Sequence, residues 1–288
     1  MTLKSKALLI AFLLTGLSLI PVGDSAGKLL GIQGVDPLFI AWSRLVVGFV
    51  FVLPFSRLTI KEIGQLFNWR LLIRAGLFTC AIFSMLTALK TEPIANVFGI
   101  FFIGPIVSYF LAGLILTETI TPARSIALLI GFAAVLMVVK PGFDMGAGTP
   151  LALLAGTCFG CMLVCNRWLA GQFRPRLILV STLLAGSLAL APIAIPTIPT
   201  ELDTNLVTLV LVSSLASAIG NLIILQSSKH LEASIVAPFV YSQLIIATAL
   251  GVVLFDDWPD MISGIGLIII FSSGVCSFFL SNKKAPNS

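Results

Sequence analysis

Apolar residues run along this chain in ten long segments, separated by short polar or Pro/Gly-marked breaks. Each segment is close to the roughly 20 residues that a helix needs to cross the hydrocarbon core of a bilayer. Apolar runs of this length are typical of membrane-spanning helices. The pattern predicts an all-α membrane protein with ten transmembrane helices, at positions 6–31, 37–55, 70–89, 93–116, 122–139, 149–170, 176–194, 205–226, 233–254 and 259–281.

The composition indicates the same class of protein. Of the 288 residues, 58% are hydrophobic and 10% are charged, and the mean hydropathy is +1.11. A soluble domain carries about a quarter charged residues, so a surface this poor in charge is expected to face lipid. The first apolar run continues past Leu19 without a small-residue cleavage site. We therefore expect a retained first helix and no cleaved signal peptide.

The basic residues are divided unequally between the two sides of the predicted bundle. Of the 17 Lys and Arg residues, all except Lys28, Arg44, Lys90 and Lys140 fall on the side of the two termini. Cytoplasmic connectors carry an excess of Lys and Arg. We therefore expect a multi-pass protein of a bacterial-type inner (plasma) membrane with both termini in the cytoplasm. Membrane orientation explains the net charge of +5, and no nucleic-acid partner is expected.

The two halves of the chain resemble each other at an offset of 138–140 residues. Residues 13–16 (Leu-Leu-Thr-Gly) match residues 153–156 (Leu-Leu-Ala-Gly), and the order of the matches is kept over most of the chain. We expect a first five-helix repeat at 1–141 and a second at 149–282. Because five is an odd number, the second repeat must enter the membrane inverted. Inverted repeats are a recurrent plan of secondary transporters, with the substrate site near the midplane between them.

Three motifs add a family resemblance. They are Pro37-Leu-Phe-Ile-Ala-Trp-Ser-Arg44 in the second helix, Pro105 followed by Leu116-Thr-Glu118-Thr-Ile-Thr-Pro122 in the fourth, and Gly131-Phe-Ala-Ala-Val with Lys140-Pro-Gly142 in the fifth. Together with the duplicated unit, they resemble the EamA-like ten-helix members of the drug/metabolite transporter superfamily over nearly the whole chain.

The resemblance implies a transporter that hydrolyses no nucleotide and needs no cofactor. Members of that superfamily move amino acids, nucleobases, vitamins, quaternary amines and related metabolites, and they include exporters and importers. They also include monomers and homodimers, and the resemblance leaves open a coupling proton or ion. Beside membrane lipid, the expected partner is a small-molecule substrate.

Three ionisable residues form the best candidate for a substrate site. Asp24 and Lys28 lie four residues apart on the first helix, so they share a face, and Arg44 lies at matching depth on the second helix. An Asp24–Arg44 salt bridge that only holds the helices together is one interpretation. In the other, the excess positive charge binds a substrate carboxylate, because ionisable groups inside a membrane mark function. Proton coupling through Asp24 is a third.

Aromatic and polar residues at membrane depth complete the predicted binding site. A buried hydroxyl or amide needs a partner, which is either protein or ligand. Amphipathic substrates are held by aromatic walls and a few fixed polar groups, although close packing explains the phenylalanines equally. The residues of this group are Trp42, Asn96, Phe98, Tyr109, Tyr241 and Gln243.

Four further residues are predicted to have gating or structural roles. Pro21 is expected to kink the first helix, and Pro105 is expected to interrupt the fourth. Glu118 is expected to accept hydrogen bonds near the start of the fifth helix, with a gate as the alternative. Asp256 stands where the second repeat aligns with Glu118. A second hinge is expected at Gly220-Asn221 in the eighth helix.

These features favour a secondary transporter that moves an amino acid or a related carboxylate-bearing or zwitterionic metabolite by alternating access. An exporter of amphipathic or cationic drug-like compounds is the alternative. A channel is less favoured because an internal inverted repeat suits a self-contained transporter. A lipid-modifying membrane enzyme is disfavoured because the chain has one histidine and no buried carboxylate pair is expected, so a metal site is not expected.

Overall fold

The computed structural model describes residues 3–91, 94–140, 146, 148–201 and 203–282, and these residues contain helices and no strand. The α-helices are α1 (Leu3–Ile32), α2 (Pro37–Ser56), α3 (Ile60–Ile63), α4 (Trp69–Thr91), α5 (Ile94–Phe101), α6 (Gly104–Leu116), α7 (Pro122–Val139), α8 (Thr149–Ala170), α9 (Pro175–Ala194), α10 (Thr204–Ser227), α11 (Ala233–Val240), α12 (Ser242–Phe255) and α13 (Met261–Asn282). A 3₁₀ turn at Ile195–Thr197 extends α9.

The helices provide the predicted membrane spans. Among the described residues, eight helical segments are long and apolar enough to cross a bilayer, and α5–α6 and α11–α12 each act as one of them. The shorter apolar segment Met261–Ser273 of α13 is a ninth. The 23-residue helix α4 packs among them as the tenth. Large side chains such as Val50, Leu114 and Val253 remain exposed because they face lipid.

Two of the spans are interrupted by tightened turns rather than by unwound segments. At the α5–α6 junction, the amide of Ile103 bonds to the carbonyl of Ile100 (3.1 Å), and that of Ile106 bonds to Ile103 (2.9 Å). At the α11–α12 junction, the amide of Leu244 bonds to the carbonyl of Tyr241 (3.0 Å). These i to i+3 bonds are the 3₁₀ pattern, which often marks a hinge within a helix. The predicted interruption next to Pro105 is therefore confirmed.

The hinge predicted at Gly220-Asn221 is wrong, because α10 is continuous through both residues. Gly220 serves close packing instead. A Cβ atom at Gly220 would lie 2.8 Å from the carbonyl oxygen of Gly16 on α1. Asn221 donates to the carbonyl of Ser217 one turn earlier, which keeps its amide satisfied within the helix (2.9 Å). Pro21 also lies within a helix that continues past it.

The helix contacts repeat when the first five spans are exchanged with the second five. The contact between α1 and α10 has its counterpart in the contact between α8 and α4. In the same way, the contact between α2 and α10 has its counterpart in the contact between α9 and α4. α1 also contacts α12 as α8 contacts α6, while the pairs α2–α9 and α7–α13 are their own counterparts. This exchange defines a pseudo-two-fold axis. Since each repeat has five spans, the two repeats are inverted relative to each other, as predicted.

The charged connectors lie at two ends of the bundle. At the end that we call the basic end, Arg174 bonds to Glu62 (3.1 Å), and Arg167 donates to the carbonyl of Lys229 (2.9 Å). At the opposite end, Lys140 at the end of α7 pairs with Asp260 just before α13. The hydrogen bond from Lys140, together with that from the Ser263 amide, holds the pKa of Asp260 well below its ordinary value.

One basic residue counted on the side of the two termini is buried inside a span. Arg74 falls within the predicted third span at 70–89, and in the structure it lies inside α4 and is 1% exposed. The span begins at Trp69, so Arg74 lies more than one turn inside it. Burial of a guanidinium at this depth is costly unless it is paired.

Candidate functional site

Arg44 joins three helices at one point inside the bundle. Its Nη1 donates to Asp24 Oδ1 at 2.7 Å, and its Nη2 donates to the carbonyl of Gly23 at 2.8 Å, both on α1. Its Nε donates to Ser213 Oγ on α10 at 2.7 Å. Gly27 leaves the space for the guanidinium, because a Cβ atom there would lie within 2.4 Å of Nη2. We call this group the Arg44 hub.

Lys28 takes no part in the Arg44 hub. Its ammonium lies 4.0 Å from the centroid of the Phe255 ring, at the end of α12, and its side chain is exposed. A cation over an aromatic face is attracted by the ring quadrupole. The predicted three-charge cluster is therefore an ion pair, and the charge of Arg44 is balanced by Asp24. Spacing along a helix placed Lys28 and Asp24 on a common face but did not reveal the ring that holds the ammonium.

Arg74 forms a second group of the same kind, which the sequence analysis missed. Its Nε donates to Asn166 Oδ1 on α8 at 2.7 Å, and its Nη1 donates to Thr182 Oγ1 on α9 at 2.5 Å. Its guanidinium lies 5.7 Å from the ring centroid of Phe78, one turn along α4. We call this group the Arg74 hub. The repeat offset could have revealed this group, because the offset makes Arg74 equivalent to Ser213 and Thr182 equivalent to Arg44.

A narrow cleft of about 10 Å³ lies between the two hubs. It is bounded by two helices from each repeat. Arg44 and Leu45 come from α2, Arg74, Phe78 and Ile82 from α4, Leu179, Thr182 and Leu183 from α9, and Ser217, Ala218 and Asn221 from α10. Phe78 and Ile82 form an apolar wall, and their repeat counterparts Ser217 and Asn221 form a polar wall. In this conformation the space admits about one water molecule.

Of the predicted aromatic and polar residues whose side chains the structure describes, none lines this cleft. Trp42 Nε1 donates to the carbonyl of Ser187 on α9 at 3.1 Å. Phe98 packs on Phe102 with ring centroids 6.4 Å apart, and Gln243 is half-buried on α12. The side chain of Asn96 lies outside the described residues.

The two predicted tyrosines are both buried, in different surroundings. The hydroxyl of Tyr109 donates to the carbonyl of Thr121 (3.3 Å), toward the basic end. The hydroxyl of Tyr241 has no hydrogen-bond partner in the described part of the chain. Its ring meets that of Phe102 with a centroid distance of 6.1 Å. Phe102 and Tyr241 are repeat counterparts, so the pseudo-two-fold axis passes between them.

Glu118 fastens the two repeats together at the basic end. Its carboxylate accepts hydrogen bonds from the amides of Ala233 (2.9 Å) and Ser234 (2.8 Å), which begin α11. The carboxylate is 6% exposed and lies 3.9 Å from Arg167 Nε. A carboxylate is stabilised at a helix N-terminus by free amides and the helix dipole. The bonds run to α11 of the ninth span, not to the start of the fifth span as predicted. We call this arrangement the Glu118 clasp.

The structure also changes the register of the repeat alignment here by one residue. Thr117 and Asp256 end α6 and α12 in the same left-handed conformation, with φ of 54° and 53°. Their amides bond to the equivalent carbonyls of Ala112 and Gly251. The counterpart of Glu118 is therefore Asp257 and not Asp256. The carboxylate of Asp256 accepts a hydrogen bond from Trp258 Nε1 (2.9 Å).

A wider recess of about 470 Å³ opens next to the Glu118 clasp at the basic end. Glu118, Arg167, Lys229 and Glu232 lie around it. Two acidic and two basic side chains line the recess, and Arg124 pairs with Glu232 at 3.5 Å. Because these charges already neutralise one another, we attribute the recess to the closed end of the bundle.

Comparison with known proteins agrees with this architecture. The model of the EamA-like transporter family matches residues 6–140 and 146–279, one copy for each repeat. A riboflavin transporter of Rhizobium johnstonii is 26% identical over 82% of this chain and 78% of its own. An S-adenosylmethionine uptake transporter of Rickettsia bellii is 24% identical over 98% of this chain and 97% of its own.

A solved structure supports the fold alone. One crystal structure, whose description names no function, superposes with a TM-score of 0.80 over 96% of this chain and 97% of its own, at 16% identity. The family match extends over both repeats, and the relatives are transporters of small molecules by name. This chain is a multi-pass membrane protein that belongs to the EamA-like transporter family.

Proposed function

We propose that this protein is a secondary transporter that moves a small carboxylate-bearing or zwitterionic metabolite across a bacterial-type inner membrane by alternating access. One observation carries the mechanism. The main helix contacts are preserved when the repeats are exchanged, but two contacts of the half-helices are not. α6 packs on α11 at the basic end and α5 packs on α8, whereas their counterparts α12–α5 and α11–α1 make no comparable contact among the described residues. Exchanging the conformations of two inverted repeats would close the opposite end and open the basic end.

The Glu118 clasp has the parts needed for a counterpart at the opposite end. Asp257 is the repeat equivalent of Glu118, and the start of α5 at Ile94 is the equivalent of the start of α11 at Ala233. In the proposed second state, Asp257 accepts hydrogen bonds from the first amides of α5 while Glu118 releases those of α11. The protein would then alternate between two clasps on opposite sides of one cleft.

The lining of the cleft supports the proposed class of substrate. Guanidinium groups lie at both ends, and the apolar wall of Phe78 and Ile82 faces the polar wall of Ser217 and Asn221. This arrangement favours a molecule with an anionic group and an apolar or aromatic body. The same positive charge disfavours the alternative of a cationic drug-like substrate. The names of the relatives support small metabolites as the general class.

The orientation follows from the positive-inside rule. The basic end carries Arg57, Arg70, Arg124, Arg167, Arg174 and Arg176, and we place it in the cytoplasm together with both termini. In the conformation described here the clasp closes that end. Nothing in this proposal requires catalysis, so we interpret the protein as a transporter without enzymatic activity.

Counterflow in proteoliposomes tests the proposal. The purified protein is reconstituted, the vesicles are loaded with unlabelled members of a metabolite panel, and entry of the same labelled compounds is followed with and without a pH gradient. An alternating-access transporter gives saturable uptake that is accelerated by internal substrate. Flux that rises linearly with concentration and ignores internal substrate would indicate a channel. The pH gradient identifies or excludes a coupling proton.

A further inference from the structure

The Arg74 hub carries one positive charge that no described carboxylate balances. Arg74 is 1% exposed, and among the described residues it forms no ion pair with a carboxylate. Its two partners, Asn166 and Thr182, are neutral and are themselves 1% exposed. A buried charge without a counter-ion is strongly unfavourable. A transporter retains such a group where an arriving ligand supplies the opposite charge.

Two hydrogen-bond donors of the hub are left over. Arg74 Nη2 and Asn166 Nδ2 are both buried and have no hydrogen-bond partner in the described part of the chain. The orientation of the Asn166 amide follows from its contact, because its oxygen must face Arg74 Nε to accept the hydrogen bond. The two unused groups are therefore both donors, and the ligand that satisfies them must supply acceptors.

The repeat symmetry provides an internal comparison. In the Arg44 hub a guanidinium on α2 meets a hydroxyl on α10, and in the Arg74 hub a hydroxyl on α9 meets a guanidinium on α4. The third member differs in charge: α1 contributes the carboxylate of Asp24, whereas α8 contributes the amide of Asn166. The first hub is neutral, and the second lacks one negative charge.

We propose that Arg74 and Asn166 form a carboxylate-binding subsite at the basic end of the cleft. One carboxylate supplies the single negative charge that is missing and two acceptor oxygens for the two free donors. A phosphate monoester, which carries about two negative charges near neutral pH, would overcompensate the hub. The rest of the ligand then extends past Phe78 toward the middle of the cleft, which must widen to admit it.

This inference rests on the proposed transport function, because it assigns one end of the substrate to one residue pair. It also gives Arg44 and Arg74 different tasks. Arg44, neutralised by Asp24 and joined to two other helices, holds α1, α2 and α10 together. Arg74 receives the ligand. A carboxylate-free analogue of the same shape should therefore lose its contacts with Arg74 and Asn166 and not with Arg44.

Paired probes test the subsite in the full-length protein. Nicotinate with nicotinamide, phenylacetate with phenylacetamide, and L-phenylalanine with L-phenylalaninamide each differ at a single carboxyl group. Thermal unfolding of the detergent-purified protein is followed as each probe is titrated, since a ligand of the native state raises its stability. We expect at least one acid to bind about tenfold to a hundredfold more tightly than its amide. If no pair shows this difference, the proposal is wrong.

Asn166→Asp separates a ligand site from a structural arginine. The new carboxylate reproduces the Asp24 arrangement and neutralises Arg74 from within. We expect the ligand-free melting temperature to rise by about 2–4 °C or more, while the stabilisation by the acid probe is lost. Gln172→Glu adds the same charge in an exposed position at the basic end and should leave the acid–amide difference unchanged. Undiminished acid binding in Asn166→Asp overturns the proposal.

Counterflow of the same acid distinguishes this inference from the proposed function. If the wild type exchanges the acid and Asn166→Asp does so equally well, the subsite is refuted and transport stands. If the acid binds through Asn166 and Arg74 but no panel compound shows saturable counterflow, the subsite stands and the proposed function fails. Should Asn166→Asp not fold, the acid–amide difference in the wild type still decides the proposal.

Discussion

Removing the carboxylate of the Glu118 clasp should open the basic end of the bundle. In the structure this group accepts two backbone hydrogen bonds from α11, at 2.9 and 2.8 Å, and is 6% exposed. Glu118→Ala deletes both acceptors and leaves two amides at a helix start without a partner. The variant should therefore favour states in which α6 and α11 separate and water reaches the start of α11.

The size of the effect follows from the two contacts. A hydrogen bond to a charged group contributes about 1.5–3 kcal/mol. Because both sides are rehydrated when the clasp opens, we use the lower value for each bond. The loss of about 3 kcal/mol corresponds to roughly a hundredfold shift toward the open state. Glu118→Gln keeps one acceptor oxygen without the charge, and about half of this loss, or a tenfold shift, is expected.

Hydrogen exchange of peptides covering residues 231–240, measured in lipid nanodiscs, detects this opening directly. The amides of Ala233 and Ser234 should exchange roughly a hundredfold faster in Glu118→Ala and about tenfold faster in Glu118→Gln. Peptides from α10 report global unfolding, and Asp257→Asn is the matched control at the opposite end. Unchanged exchange at the start of α11, or the same acceleration throughout α10, would refute the clasp as a local gate.

Three other predictions concern stability. Asp24→Asn leaves its arginine partner with an unpaired charge and should destabilise the fold by about 1–2 kcal/mol, a value reduced for partial exposure and measured by thermal unfolding. Gly220→Val should cost about 1–3 kcal/mol by overpacking the α1–α10 contact, whereas Gly76→Ala, whose Cβ meets no atom within 4 Å, should not destabilise the protein. The pKa of Asp260 is lowered by the hydrogen bond from Lys140, so Asp260 contributes its full stabilisation of the folded state above its unfolded pKa of about 3.9. This stabilisation is lost as the pH falls toward the folded pKa, and Lys140→Met should flatten this acid dependence of the melting temperature.

The architecture could be predicted because lipid imposes a simple rule on sequence. Each span must be long and apolar, so the predicted segments agree with the helices to within a few residues. The interruption beside Pro105 also has a local chemical signal. The interruption at Tyr241 has a weaker one, Pro238 inside α11, and the hinge was placed at Gly220 instead. Glycine in a membrane helix indicates close packing at least as often as a hinge.

Side-chain partners were harder to predict because they depend on which helices touch. The pairing of Asp24 with Arg44 was accessible, since adjacent antiparallel helices place equal depths together. Glu118 accepts hydrogen bonds from two residues of α11 that follow it by 115 and 116 positions in the sequence. The ammonium of Lys28 lies over a ring on α12 instead of in the predicted cluster. Neither contact follows from spacing within one helix. Both needed the contacts between the repeats.

Arg74 shows how repeat symmetry can recover such a contact. Taken alone, it counts as one of several basic residues near the start of the third span, on the side that the positive-inside rule places in the cytoplasm. The offset between the halves, however, makes Arg74 equivalent in sequence to Ser213, and it makes Thr182 equivalent to Arg44. Both contacts join the two repeats: if α2 meets α10, exchange of the repeats requires that α9 meets α4. The guanidinium is on α2 in the first pair and on α4, the counterpart of α10, in the second. The carboxylate of Asp24 did not move with it, because α8 supplies Asn166 instead. That difference between the two hubs leaves Arg74 without a paired carboxylate among the described residues.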